Sequence, residues 1–221
     1  MQSNISVDAS RSSAIEINKV LKNTYMLLSM TLAFSAVTAG VSMAMGLSHI
    51  AALVMTLVSF GLLFVVNKTA DKASGIFWIF AFTGLMGASL GPMLNYYAAM
   101  PNGASLIMQA LGGTALIFFA LSGYALTSKK DFSFMGGFLM VGLIVAVIAM
   151  VANIFFQIPA LSLAISAAII MIMSGLILYD TSRIIHGGET NYIRATVSLY
   201  LNIYNIFVHL LHLLGVFGGD D

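Results

Sequence analysis

Cysteine is absent from this 221-residue chain. That excludes disulfides, thiolate metal centres, iron–sulfur clusters and a cysteine nucleophile. Charge is scarce as well: Asp, Glu, Lys and Arg make up 8% of residues, against about 25% in a soluble domain. With 60% of the chain hydrophobic, so few charges cannot cover a surface in water. The solvent is therefore a bilayer. The formal net charge is +1, which gives no cationic field for nucleic acid.

Recognisable catalytic patterns are missing too. There is no Walker loop and no pair of carboxylates inside an apolar stretch to serve as acid and base. Ile172-Met173-Ser174-Gly175 lacks the first glycine of a Gly-x-Ser-Gly nucleophile turn, and no lysine follows Lys130 to form a Schiff base in the last span. The expectation is a protein that is not an enzyme and carries no cofactor.

What the chain does have is apolar segments of about the 20 residues that cross a hydrocarbon layer as helix. Seven are expected: Thr24–Gly46, His49–Val66, Ser74–Tyr97, Ala104–Thr127, Phe132–Phe156, Pro159–Ile185 and Tyr192–Phe217. They are twice the length of a barrel strand and apolar on all faces, so a transmembrane β-barrel is rejected. Turn formers separate them, with Asp131 expected as an N-cap and Gly187 as a C-cap. The fold class is an all-α membrane protein, a seven-helix bundle over residues 23–217. Residues 1–22 are polar, lack the order of a cleaved signal peptide, and read as a flexible cytoplasmic tail. Residues 218–221 form a short C-terminal tail.

Basic residues set the orientation. Arg11, Lys19, Lys22, Lys68, Lys72, Lys129, Lys130, Arg183 and Arg194 all fall in or beside the N-terminal stretch and the even-numbered loops. This places the N-terminus in the cytoplasm and the C-terminus outside. A re-entrant seventh segment is the alternative, and it would return the C-terminus to the cytoplasm.

The seventh segment is unusual. Its polar residues Arg194, Ser198, Asn202, Asn205, His209 and His212 are spaced 4, 4, 3, 4 and 3 apart, the spacing of one helix face. Lipid penalises such a face, so this span belongs in the middle of the bundle. In the sixth span Ser162, Ser166 and Asp180 share a face. An antiparallel pairing brings Asp180 level with Ser198 or Asn202, and Arg183 lies one turn from Asp180. Asp180, Asn202, Arg183, Ser198, Asn205 and Arg194 are therefore the candidates for an ion path or gate. His209 and His212, with His49 in the first outer loop, are the weaker candidates for a metal. The simpler reading of the Ser, Asn and His residues is hydrogen bonding between helices. Gly84, Gly87, Ala88 and Gly91 make small-residue faces for close packing in the third span, where Pro92 adds a kink.

Leu178–Asp180, the following "IIHGG", "SLYLNIYNIF" at Ser198–Phe207 and "KKDFSF" at Lys129–Phe134 resemble the signature of the Bax inhibitor-1 family. "IIHGGETNYIRATVSLY" and "MVANIF" point to its YccA branch in proteobacteria. The resemblance covers nearly the whole chain and implies a seven-helix bundle with the last helix central. It implies two functions. One is modulation of FtsH, the ATP-driven protease of the bacterial inner membrane, of which such proteins are also substrates. The polar N-terminal stretch would serve as its grip. The other is a pH-sensitive calcium leak closed by an aspartate pair between the sixth and seventh helices. Asp180 matches the first aspartate. Asn202 stands at the second, and Lys68 is the nearest basic residue to the family's partner arginine, so the chain departs from the leak pattern. The partners implied are the lipid bilayer, FtsH and a transiently bound calcium ion.

Overall fold

The computed structural model describes residues 2–218, with side chains from Ile15 onward. Eight helices follow in order: α1 (Gln2–Met45), α2 (His49–Thr69), α3 (Ser74–Ser89), α4 (Gly91–Ala98), α5 (Gly103–Ser128), α6 (Met135–Phe156), α7 (Pro159–Ile185) and α8 (Tyr192–Phe217). Together α3 and α4 make one of seven segments long and apolar enough to cross a membrane. The seven-span, all-α expectation stands. α8 runs unbroken for 26 residues, about 39 Å at helical rise. It is long enough to cross a hydrocarbon core of about 30 Å and contains no re-entrant turn.

Two local expectations need correction, and the proline in the third span acts as expected. The N-terminal stretch is helical from Gln2 rather than irregular. Residues 1–22 contain neither Gly nor Pro, so nothing stops the helix of the first span from extending back through them. The expected kink in the third span lies at Leu90, which keeps right-handed helical dihedrals (φ −75°, ψ −20°) between α3 and α4. Pro92 has no N–H and its ring crowds the carbonyl one turn earlier, so α3 ends at Ser89 and Pro92 sits in the first turn of α4. Asp131 caps a turn instead of a helix. Its Oδ1 accepts from Ser133 N at 2.9 Å, the local bond that Asp favours in turns, and α6 starts only at Met135. That N–H, with the Ser133 side chain, holds the Asp131 carboxyl below the usual carboxylate range.

Gly187 does end the α7 helix. Its φ is +73°, a conformation that suits glycine. Gly188 N donates to Arg183 O at 2.7 Å and Gly187 N to Ile184 O at 3.3 Å. These paired bonds satisfy the last carbonyls of the helix and turn the chain sharply into α8.

α8 is the axis. It packs against α7, α5 and α1 and touches α3 and α2. By contrast, α6 packs chiefly on α7, and α2 chiefly on α3. Their outer faces are apolar and exposed, as with Phe64, Phe138, Val145 and Phe155, which suits lipid. Leu199, Ile206 and Leu211 of α8 are fully buried. The Lys and Arg side chains from Lys19 to Arg194 lie at the helix ends and loops of one end of the bundle, called here the basic end. The opposite end is called neutral.

Close packing of α1 on α3 depends on a missing side chain. A Cβ on Gly87 would lie 2.2 Å from the backbone O of Ser35 and 2.4 Å from Thr38 Oγ1. Gly87→Ala is expected to cost about 1–3 kcal/mol, the range for overpacking, seen as a lower melting temperature in detergent. Gly112→Ala meets nothing within 4 Å and is expected to be tolerated, because alanine is the better helix former by about 0.5–1 kcal/mol.

Candidate functional site at the α7–α8 interface

α7 and α8 run antiparallel from the Gly187–Gly188 turn. Asn191 starts α8 by accepting from Ile193 N at 2.9 Å and Arg194 N at 3.1 Å, the N-cap bonds that Asn commonly supplies. Its amide donates to Ala70 O at 3.0 Å and Asp71 Oδ1 at 2.7 Å. The cap therefore also fastens α8 to the α2–α3 loop.

From this start, α8 meets α7 at two polar contacts. At the basic end, Asn202 Nδ2 donates to Asp180 Oδ2 at 2.8 Å. Asp180 is 9% exposed and Asn202 4%. The expected Asp180–Asn202 juxtaposition is thus made, and Asn202, not Ser198, is the partner. A hydrogen bond to a carboxylate in a poorly solvated site is among the stronger kinds. One residue on, Thr181 faces the other way and bonds Ser122 of α5 at 3.3 Å, and Ser122 in turn bonds the hydroxyl of Tyr25 in α1.

The basic candidates do not join this pair. Arg183 makes no ion pair with Asp180; it donates to Gly188 O at 3.0 Å and pairs with Glu189 at 3.7 Å. The Schellman turn brings Glu189 back over the helix end, and this loop carbonyl and carboxylate take the guanidinium. Arg194 pairs with Asp71 at 2.6 Å. These are the two ion pairs among the described residues. Lys68 is exposed and belongs to neither. Asn205 donates to Leu201 O within its own helix at 2.8 Å, and Ser198 makes no side-chain bond to another helix. Neither extends the pair into a path.

The second contact lies toward the neutral end. Ser166 of α7 sits between two rings of α8, 3.1 Å from His209 Nδ1 and 2.9 Å from His212 Nδ1. So the face read as one continuous stripe divides into two separate fastenings, with Asn205 satisfied locally between them.

Sequence reading missed the opposite face of α8. Tyr200 is fully buried, 2.7 Å from Ser35 Oγ of α1, and its hydroxyl donates to Thr83 O of α3 at 3.3 Å. Its ring meets Phe82 edge-on at 5.8 Å. Tyr204 bonds Ser89 at 3.2 Å, and Thr196 donates to Thr24 O at 3.3 Å. Positions 196, 200 and 204 are spaced by four and make a second polar line. Tyrosine and threonine blend into an apolar background, and only that spacing could have revealed them. Among the described residues, three buried side-chain atoms lack a partner, Thr24 Oγ1, Ser42 Oγ and Asn102 Oδ1. None belongs to α8.

Asn202→Leu strips Asp180 of its hydrogen bond and is expected to cost about 1.5–3 kcal/mol, the range for a bond to a charged group. Replacing both residues by Leu should recover part of that loss. Arg194→Gln should cost less than about 1 kcal/mol, because that pair is exposed. Denaturation of the three variants beside the parent in detergent checks the order.

The family model described as inhibitor of apoptosis-promoting Bax1 matches residues 17–219. The chain is 57% identical over 217 residues to the modulator of FtsH protease YccA of Escherichia coli K12, covering 98% of each. It is 56% identical over 208 residues to a membrane protein of Vibrio cholerae, covering 94% of this chain and 93% of that one. It is 37% identical over 208 residues to a protein of Campylobacter jejuni, covering 91% of this chain and 90% of that one. With a central polar α8 joined to α7 through Asp180, and with matches that run nearly end to end, the chain belongs to the Bax inhibitor-1 family.

Proposed function

We propose that this chain is an inner-membrane, non-enzymatic modulator of an FtsH-type protease, and itself a substrate of that protease. The observation that carries this reading is the 57% identity, spread over 98% of both chains, to a protein named for that role. Likeness of that extent leaves no large insertion or missing domain to divide the two. The reading places the basic end in the cytoplasm, following the positive-inside rule. A membrane-anchored protease then meets α1 first. The span segment Ile15–Met45 has 31 residues, about 46 Å of helix, which exceeds a hydrocarbon core of about 30 Å. The first turns of α1 accordingly project from the bilayer as a handle.

Pulse-chase in cells with and without active protease tests this. The full chain is expected to turn over only when the protease is active, and deletion of residues 1–14 is expected to lengthen its half-life. Overproduction of the full chain should slow turnover of another membrane substrate. Equal half-lives with and without the protease would overturn the reading.

The Asp180–Asn202 contact favours a second reading, an ion leak between α7 and α8 with calcium as the ion. Calcium prefers six to eight oxygen ligands, often carboxylates, and one carboxylate with one amide is a poor set. In liposomes, Asp180→Asn is expected to change calcium flux if the interface conducts; identical flux would remove Asp180 as the gate. Asn202→Asp offers a separate check on the contact. Two carboxylates at this distance hold together while they share a proton. The variant should therefore melt at lower temperature as pH rises, with a steeper dependence than the parent.

A further inference from the structure

The neutral end holds a cavity of about 360 Å³ whose walls come from α4, α6, α7 and α8. Met93, Met150, Asn153, Ser166, His209 and His212 are among the residues that line it. It stands apart from the Asp180–Asn202 contact, near the opposite end of the same interface. Its donor atoms are two thioethers and two imidazoles, with amide and hydroxyl groups beside them. No carboxylate lines it, and the chain has no thiol. Among the described residues, no group of three His, Cys, Asp or Glu gathers anywhere. A hard cation such as calcium or magnesium finds no carboxylate here. Thioethers select soft monovalent ions, and imidazole suits copper as well.

Ser166 makes one of the imidazoles ready to bind. Its hydroxyl has one proton and two lone pairs, and the Nδ1 atoms of both rings lie within hydrogen-bond distance of it. With both rings neutral, the hydroxyl gives its proton to at most one Nδ1. The other ring must then carry its own proton on Nδ1, which leaves a free lone pair on its Nε2. Neither Nε2 has a protein partner, and neither is among the sealed, unpartnered polar atoms. The lone pair therefore opens onto accessible space. Fixing the tautomer through the other ring nitrogen is how metal-binding histidines are usually prepared. Met150 lines the cavity and is 40% exposed.

We propose that this cavity binds one Cu(I) ion, or Ag(I) in its place, through Nε2 of His209 or His212 and the thioethers of Met93 and Met150. The site does not depend on the protease reading, and its test shares no readout with it.

The test uses the purified full chain in detergent with any affinity tag removed. Cu(I) is offered as its complex with a coloured chelator. The protein is expected to withdraw one equivalent, and X-ray absorption should show a mixed sulfur and nitrogen shell. Replacing His209 and His212 together by Gln should abolish withdrawal, and Met93→Leu with Met150→Leu should weaken it and remove the sulfur signal. Ser166→Ala should weaken binding about tenfold, as loss of a residue that orients a ligand does. His49→Gln and the lipid-facing Met140→Leu should change nothing. Leu and Met are near in volume, and melting temperatures identify any variant that misfolds. No withdrawal by the parent would overturn the proposal. So would withdrawal that survives loss of both histidines, or a shell without sulfur.

Discussion

A bilayer offers α8 no water for its polar side chains, and the rest of the bundle is arranged around that constraint. An unpaired amide or hydroxyl in hydrocarbon costs several kcal/mol, far more than the net gain of making the bond. α8 carries polar groups on two faces, so neither face can meet lipid. One is covered by α7, through Asp180 and Ser166. The other is covered by α1 and α3, through Thr24, Ser35, Thr83 and Ser89. Helices that carry no such obligation, α2 and α6, are left at the periphery.

The interface with α7 is therefore fastened at two points of different chemistry. At the basic end an amide meets a carboxylate. Toward the neutral end a hydroxyl is shared by two imidazoles. Between them the helices touch through apolar groups such as Ile169, Met173, Ile177 and Ile206. Bonds at separated points fix register as well as distance, because sliding one helix by a turn would break both. The capped turn at Gly187 and the Asn191 anchor on the α2–α3 loop hold the near end of the same hairpin.

Length and apolar composition announced the seven spans and most of their ends, because crossing a membrane is a one-dimensional requirement. The centrality of α8 was legible for the same kind of reason: polar residues at helical spacing inside an oily segment have to face protein. Partner choice was less legible. Asp180 was assigned to the right helix face, but Arg183 was free in sequence terms to turn toward it. The Gly187 turn brought Glu189 closer to hand. The helical N-terminal stretch was hidden by polarity, which reports on solvent and not on backbone conformation. Tyr200 and Tyr204 were overlooked because their rings count as apolar while their hydroxyls do the fastening.

α1 is a single helix of 44 residues, about 66 Å long, with no hinge between its projecting turns and the centre of the bundle. Its bonds to α8 come first at Thr24 and then at Ser35. A load entering α1 from its N-terminal side would therefore reach the Tyr200 face of α8 before it reached the α7–α8 hairpin.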